Sequence, residues 1–142
     1  MKKSHIFKLR VYYSEVDVLG IVYHTNYVNY MERARCDWLR VCGFPIHQTC
    51  SDYEILFAVK HLDVSYLAPA KLDQELYIVS KIVKAKKASL MYDQKVCADA
   101  NGIQVLCHAK ICIVCLGQNL RPKAIPQPIY ENFKGVCCDN ES

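Results

Sequence analysis

The stretch YYSEVDVLGIVYHTNYVNYMERAR, Tyr12 to Arg35, decides the reading of this chain. It sets Asp17 and His24 on either side of the apolar run Leu19-Gly20-Ile21-Val22, directly before a helical pattern. Such a loop brings a carboxylate up to a helix N-terminus, where backbone N–H groups lack partners and the dipole favours negative charge. Thr25 or Asn26 is predicted to cap the helix. Tyr27, Met31, Ala34, Trp38 and Cys42 then recur on one face at helical spacing. The helix is predicted to run to about Cys42, with Gly43 as its C-terminal cap and Pro45 preventing continuation.

Upstream, residues 6–13 (IFKLRVYY) read as a strand, with Phe7, Leu9 and Val11 on one face and Lys8 and Arg10 on the other. Downstream, strands are predicted from about Ile55 to Leu116. Leu62, Val64 and Tyr66 alternate with His61, Asp63 and Ser65, and Pro69 ends that run. Leu76 to Val83 and Leu90 to Cys97 follow, and Asp99-Ala100-Asn101-Gly102 reads as a hairpin turn into a strand from Ile103. The segment after Gly117 carries Pro122, Pro126 and Pro128 and is predicted to pack loosely. One long helix followed by antiparallel strands is an α+β pattern. A single helix covers a sheet poorly at its edges, so dimerisation is expected.

The chain has 142 residues, enough for a single domain with a core over about residues 6–133 and a loose tail over 134–142. It is 52% hydrophobic with a formal charge of +4, and its basic residues are scattered apart from Lys84, Lys86 and Lys87. A nucleic-acid interface wants a denser basic face, so no nucleic-acid partner is expected; a phosphate-bearing small ligand needs only such a cluster. No apolar run is long enough for a membrane span or a signal peptide. Nine cysteines cannot all pair within the chain, so they read as reduced thiols in a cytoplasmic protein. Cys107, His108, Cys112 and Cys115 lie close together, but they fall in a strand, where residues three apart face opposite ways. They are read as buried thiols and no metal site is expected. Cys137 and Cys138 are read as exposed and oxidisable.

The quoted stretch, with Tyr13, Asp17, Gly20, Val22, Tyr23, His24, Tyr27, Tyr30, Glu32, Ala34 and Arg35 in register, resembles the signature of hotdog-fold acyl-CoA thioesterases of the 4-hydroxybenzoyl-CoA thioesterase family. It looks most like the Tol-Pal-associated acyl-CoA thioesterases. YLAPAKLD (66–73) and KASL (87–90) extend the match, which covers about residues 6–133. The family often has Asp-Thr-Asp where this chain has Glu15-Val16-Asp17, so the second acid is kept and the local hydrogen bonding of the first is in question. The resemblance implies an antiparallel sheet wrapped around the long helix, homodimers or homotetramers with active sites at subunit interfaces, and acyl-CoA hydrolysis without metal or cofactor.

On its own, Asp17 reads as a turn residue and His24 as an ordinary loop histidine. The resemblance reverses both. Asp17 becomes the general base or nucleophile, and the helix N-terminus at His24 becomes the oxyanion site. Gly20 would let the backbone approach the substrate. Tyr23, Tyr27 and Glu32 are placed as substrate-binding, with Tyr27 equally a core residue and Glu32 equally one half of a helix-surface pair. Lys86, Lys87 and Ser89 match the stretch that meets coenzyme A phosphates, against a plain solvated turn; Lys60 and Lys71 are weaker candidates. Two rival functions remain: a hotdog dehydratase, whose motif context differs, and a non-catalytic module binding acyl-CoA or an acyl carrier protein.

Overall fold

The computed structural model describes residues 3–137. Strand β1 (Ser4–Arg10) leads through a 3-10 turn (Tyr13–Glu15) to helix α1 (Thr25–Val41) and helix α2 (Ile46–Tyr53). Strands β2 (Ile55–Tyr66), β3 (Glu75–Ala85), β4 (Ser89–Cys97) and β5 (Val105–Gly117) follow, then helix α3 (Gln127–Gly135). The strands form one antiparallel sheet in the order β1-β3-β4-β5-β2. This is the expected α+β arrangement, with the sheet curled about α1.

The core is the layer between α1 and the inner sheet face. Alternate residues point inward from β3 (Leu76, Ile78, Ser80, Ile82) and β4 (Leu90, Tyr92, Gln94, Val96), the period-two signature of a half-buried sheet. From α1, Tyr27, Tyr30, Met31, Ala34, Arg35, Trp38 and Leu39 meet them. Among these apolar groups sits one polar knot: Arg35 Nη1 donates to Gln94 Oε1 (2.9 Å), while Gln94 Nε2 donates to the Met31 carbonyl (3.0 Å) and to Ser80 Oγ (2.8 Å).

Several boundaries shift for identifiable reasons. The first strand stops at Arg10 because Tyr12 N–H donates to Glu15 Oε1 (2.8 Å), folding the chain into the 3-10 turn. Residue His24, not Thr25 or Asn26, occupies the N-cap of α1, and the Asn26 side chain is spent on the Glu15 carbonyl (2.9 Å). The last strand starts at Val105 and not Ile103, since the Asp99 carboxylate holds the Ile103 and Gln104 N–H groups in the turn. The eight residues of α2 were absent from the sequence reading.

The segment after Gly117 does not pack loosely. Ile125 N–H donates to the Lys87 carbonyl (2.8 Å), and Ile125, Ile129, Phe133 and Val136 are buried. Pro126 and Pro128 stand at the start of α3, where a missing N–H costs nothing, so the prolines that suggested a loop open a helix instead. Phe133 meets the Trp38 ring edge-on with centroids 5.3 Å apart. Cys137 is half-buried and not exposed, and Cys138 lies outside the described residues, as does most of the 134–142 tail. Phe133→Ala is expected to cost about 3–5 kcal/mol in urea unfolding; a loosely packed tail would register under about 0.5 kcal/mol.

Candidate active site

The Asp17 loop is a short hairpin built by backbone pairing. Tyr23 N–H donates to the Glu15 carbonyl (3.0 Å), Val16 bridges Val22, and Asp17 N–H donates to the Ile21 carbonyl (2.9 Å). The turn at its tip closes with Gly20 N–H on the Asp17 carbonyl (3.0 Å) and Leu19 N–H on Asp17 Oδ1 (2.8 Å). Gly20 sits at φ +76°, the left-handed region, and a Cβ there would meet nothing within 4 Å. Its requirement is therefore the turn itself, not a close approach within the chain. Leu72 N–H to the Gly20 carbonyl (3.0 Å) and the Ile21–Lys71 bridge tie the hairpin to the start of β3 and put Lys71 beside it.

The hairpin delivers the chain to α1 with free donors. Asn26 N–H bonds the Tyr23 carbonyl and Tyr27 N–H bonds the His24 carbonyl. The N–H of His24 makes no hydrogen bond among the described residues. His24 and Asp17 are both exposed, and no hydrogen bond or ion pair joins their side chains. The one hydrogen bond to the Asp17 carboxylate is that from Leu19, so Oδ2 is free. A free carboxylate oxygen and an unpaired helix-start N–H on one rigid hairpin can supply a proton acceptor and an oxyanion donor.

Around the α1 start, Val22, His24, Tyr27, Tyr66, Leu67, Ala68 and Pro69 line an open cavity of about 310 Å³. Tyr23 lies tilted on His24 (centroids 4.6 Å), and Tyr66 meets His24 edge-on (6.0 Å) and Tyr27 at 5.8 Å. Tyr27 is buried and its hydroxyl oxygen accepts from Ala70 N–H (2.9 Å), so it is both core and cavity wall. Burial pushes its pKa up. Tyr66 was missed by sequence reasoning; its place at the head of YLAPAKLD was the available signal.

Glu15 is the second missed residue. Its carbonyl accepts from Tyr23 and Asn26, and its Oε1 accepts from Tyr12 N–H (2.8 Å) and from Tyr30 O–H (3.0 Å). Burial first, and the Glu15 carboxylate second, hold the Tyr30 hydroxyl protonated well above its ordinary range. The longer acid thus reaches a helix hydroxyl and locks hairpin to helix, which answers the question raised by its replacing the family's first Asp.

Two groups of expected site residues lie elsewhere. Glu32 is exposed on α1 and lines a different cavity, with Arg35 and Cys36. Lys86, Lys87 and Ser89 form the β3–β4 turn, where Lys86 N–H donates to the Ser89 carbonyl (2.8 Å). The Asp17 hairpin abuts the beginning of β3 and this turn follows its end. At ~3.3 Å per residue, about 33 Å of strand separates them, so one chain does not bring them together. The Cys112–Cys115 pair diverges as expected of a strand, Cys115 buried inward and Cys112 on the outer face. Among the described residues no three His, Cys, Asp or Glu side chains gather as metal ligands, and no helix is long and apolar enough to cross a membrane.

Glu15→Ala removes the acceptor shared by Tyr12 and Tyr30 and is expected to destabilise the protein by about 1–3 kcal/mol in denaturant titration. Glu15→Gln keeps an acceptor oxygen at the same reach and is expected to recover most of that loss.

The thioesterase superfamily profile matches residues 19–103. The acyl-CoA thioester hydrolase YbgC of Escherichia coli is 35% identical over 127 residues, 89% of this chain and 92% of that protein. The acyl-CoA thioesterase YbgC of Haemophilus influenzae is 31% identical over 89% of this chain and 92% of its own length. Among solved structures, a probable thioesterase from Bartonella henselae superposes with a TM-score of 0.80 at 30% identity, covering 87% of this chain and 99% of that one. The chain belongs to the thioesterase superfamily.

Proposed function

We propose that this protein hydrolyses acyl-CoA thioesters, with Asp17 acting on the reacting carbonyl and the start of α1 holding the oxyanion. The observation that carries the reading is the free N–H of His24, held beside the Asp17 hairpin at a helix N-terminus. The likeness to relatives named as acyl-CoA thioester hydrolases supports the substrate.

Asp17 Oδ2 takes a proton from water as the water oxygen adds to the thioester carbon. The carbonyl electrons move to oxygen, where the His24 N–H accommodates them; on collapse the C–S bond breaks and coenzyme A leaves as thiolate, which takes up a proton. In the covalent variant the carboxylate itself adds, and water then cleaves the acyl–Asp17 anhydride. A donor at the oxyanion is worth about 2.7–4 kcal/mol in other enzymes. Asp17→Asn keeps the size and the Leu19 contact but removes the base. Its expected loss is about 10²–10⁴ in kcat, the usual range for a general base, followed by ultraviolet absorbance of the thioester across short, long and aromatic acyl-CoAs. Equal turnover by wild type and variant would remove Asp17 from the chemistry.

The working unit is a homodimer joined edge to edge through β2. That strand pairs only with β5 among the described residues, runs for 12 residues and exposes Leu56, Val59, Leu62 and Tyr66. The other edge, β1, has 7 residues and presents Lys8 and Arg10, both engaged with Glu75, which blunts it. Antiparallel pairing of β2 with its copy inverts one sheet against the other. The Lys86–Ser89 end of one protomer then lies beside the Asp17 end of its partner, where Lys86, Lys87 and Ser89 meet the coenzyme A phosphates. Each site thus needs both chains.

Mixing inactive Asp17→Asn with a Lys86→Ala/Lys87→Ala variant tests this. Random exchange makes half the dimers mixed, each with one intact site, so recovery to about a quarter of wild-type activity is expected. No recovery after demonstrated exchange would assign both groups to one chain.

A further inference from the structure

Beneath α1, away from its N-terminus, a cavity of about 190 Å³ is enclosed by α1, α2 and the inner faces of β2, β4 and β5. Most of its lining is apolar: Leu39, Ile46, Phe57, Leu90, Tyr92 and Ile113 among others. Set into this wall is the guanidinium of Arg35, a residue 8% exposed. One of its N–H groups is spent on Gln94 Oε1, and the group lies 5.8 Å from the Tyr92 ring centroid. Its Nε and Nη2 have no hydrogen-bond partner among the described residues, and neither is fully buried.

Arg35 also forms no ion pair with any carboxylate of the described residues. Glu32, on the cavity rim, is exposed and stays outside pairing distance. A guanidinium is charged at any working pH. Burying one with a single neutral hydrogen bond, a ring face and the charge of Glu32 beyond pairing distance as its compensation costs free energy that a directly paired anion offsets. The planar fork that remains unpaired matches a carboxylate bidentately.

We propose that this cavity binds a short-chain carboxylate, its two oxygens on the free N–H groups of Arg35 and its hydrocarbon body against Leu39, Phe57, Leu90 and Ile113. The volume holds about six water-sized groups of ~30 Å³, so the chain is short. Two sources share this chemistry. One is the distal carboxylate of an acyl group whose thioester sits at the partner's α1 N-terminus, which inverted β2 pairing brings beside Phe57 and Val59; this source rests on the hydrolase reading above. The other is the free acid that hydrolysis releases, retained as an inhibitor.

Glutaryl-CoA and pentanoyl-CoA, which differ only at the chain end, separate the two. If the carboxylate is the acyl group's own, wild type prefers glutaryl-CoA in kcat/KM by about ten- to a hundredfold, the worth of a charge-assisted hydrogen bond. Arg35→Gln abolishes the preference, and Arg35→Lys, which keeps charge but loses the fork, leaves part of it. If the carboxylate is the free acid, the two substrates are turned over alike, while pentanoate inhibits wild type and raises its melting temperature but leaves Arg35→Gln unaffected. Should Arg35→Gln fail to fold, the wild-type ratio and the Arg35→Lys variant carry the same comparison. Asp17-dependent turnover that is indifferent to the distal carboxylate, with no response to pentanoate, overturns this inference and leaves the hydrolase reading standing. Turnover that survives Asp17→Asn removes Asp17 from the chemistry, absence of turnover on every acyl-CoA sinks the hydrolase reading, and in either case the pentanoate shift in melting temperature still decides the cavity.

Discussion

One polar contact fixes where the long helix lies. Apolar faces tolerate sliding, because dispersion and burial change little over a small shift. Gln94 does not: it accepts from Arg35, and donates to the Met31 carbonyl one turn earlier on α1 and to Ser80 across β3. Satisfying all three at once admits one axial position of α1 on the sheet. The position of the helix N-terminus follows from it, and so does the half-satisfied guanidinium that lines the inner cavity. The same residue therefore sets the register and leaves charge available.

With the helix placed, Glu15 sets the hairpin. Backbone pairing shapes the loop and ties its tip to the residues before β3, but it does not fasten the loop to the buried face of α1. The bond to Oε1 from Tyr30 O–H, eight residues before Trp38 on that face, does so. The chemistry proposed for Asp17 would ask for this rigidity, since a carboxylate and an oxyanion donor contribute only when held near their productive separation. Asp17 itself is kept out of the lock. Its carboxylate accepts one hydrogen bond, from Leu19 N–H, so the other oxygen is left unpaired.

The fold was legible where local rules govern. The 3.6-residue period over Tyr27–Trp38, Gly43 past the helix end and the alternation in β3 and β4 each correspond to an observed element. What escaped depends on partners distant in sequence. The three prolines after Gly117 read as a loop because nothing local reveals that Phe133 meets Trp38. The start of the last strand moved because a side chain, Asp99, competes for backbone donors that periodicity assigns to the sheet. At the site, the motif singled out Asp17 and His24, which lie on one hairpin and the helix start that follows it, but not why Glu15 stands two residues before Asp17. It also grouped Lys86, Lys87 and Ser89 with them, although a whole strand intervenes.

That separation follows from topology. A sheet with β1 and β2 at its edges sends the loop after β1 to one end and the β3–β4 turn to the other. No side-chain adjustment closes a gap the length of a strand. A ligand as long as coenzyme A can meet both groups only if a second sheet is presented upside down against the first, and antiparallel edge pairing is the backbone operation that does so. The long edge of β2, which exposes Leu56, Val59, Leu62 and Tyr66, is the edge at which it would occur. Tyr66 stands at one end of that edge and Phe57 near the other. Inversion would carry the aromatic wall of one α1 start to the mouth of the partner's inner cavity. Thioester, acyl end and phosphates would then each fall to a different part of the two chains, and in that arrangement no single-chain motif would contain the whole site.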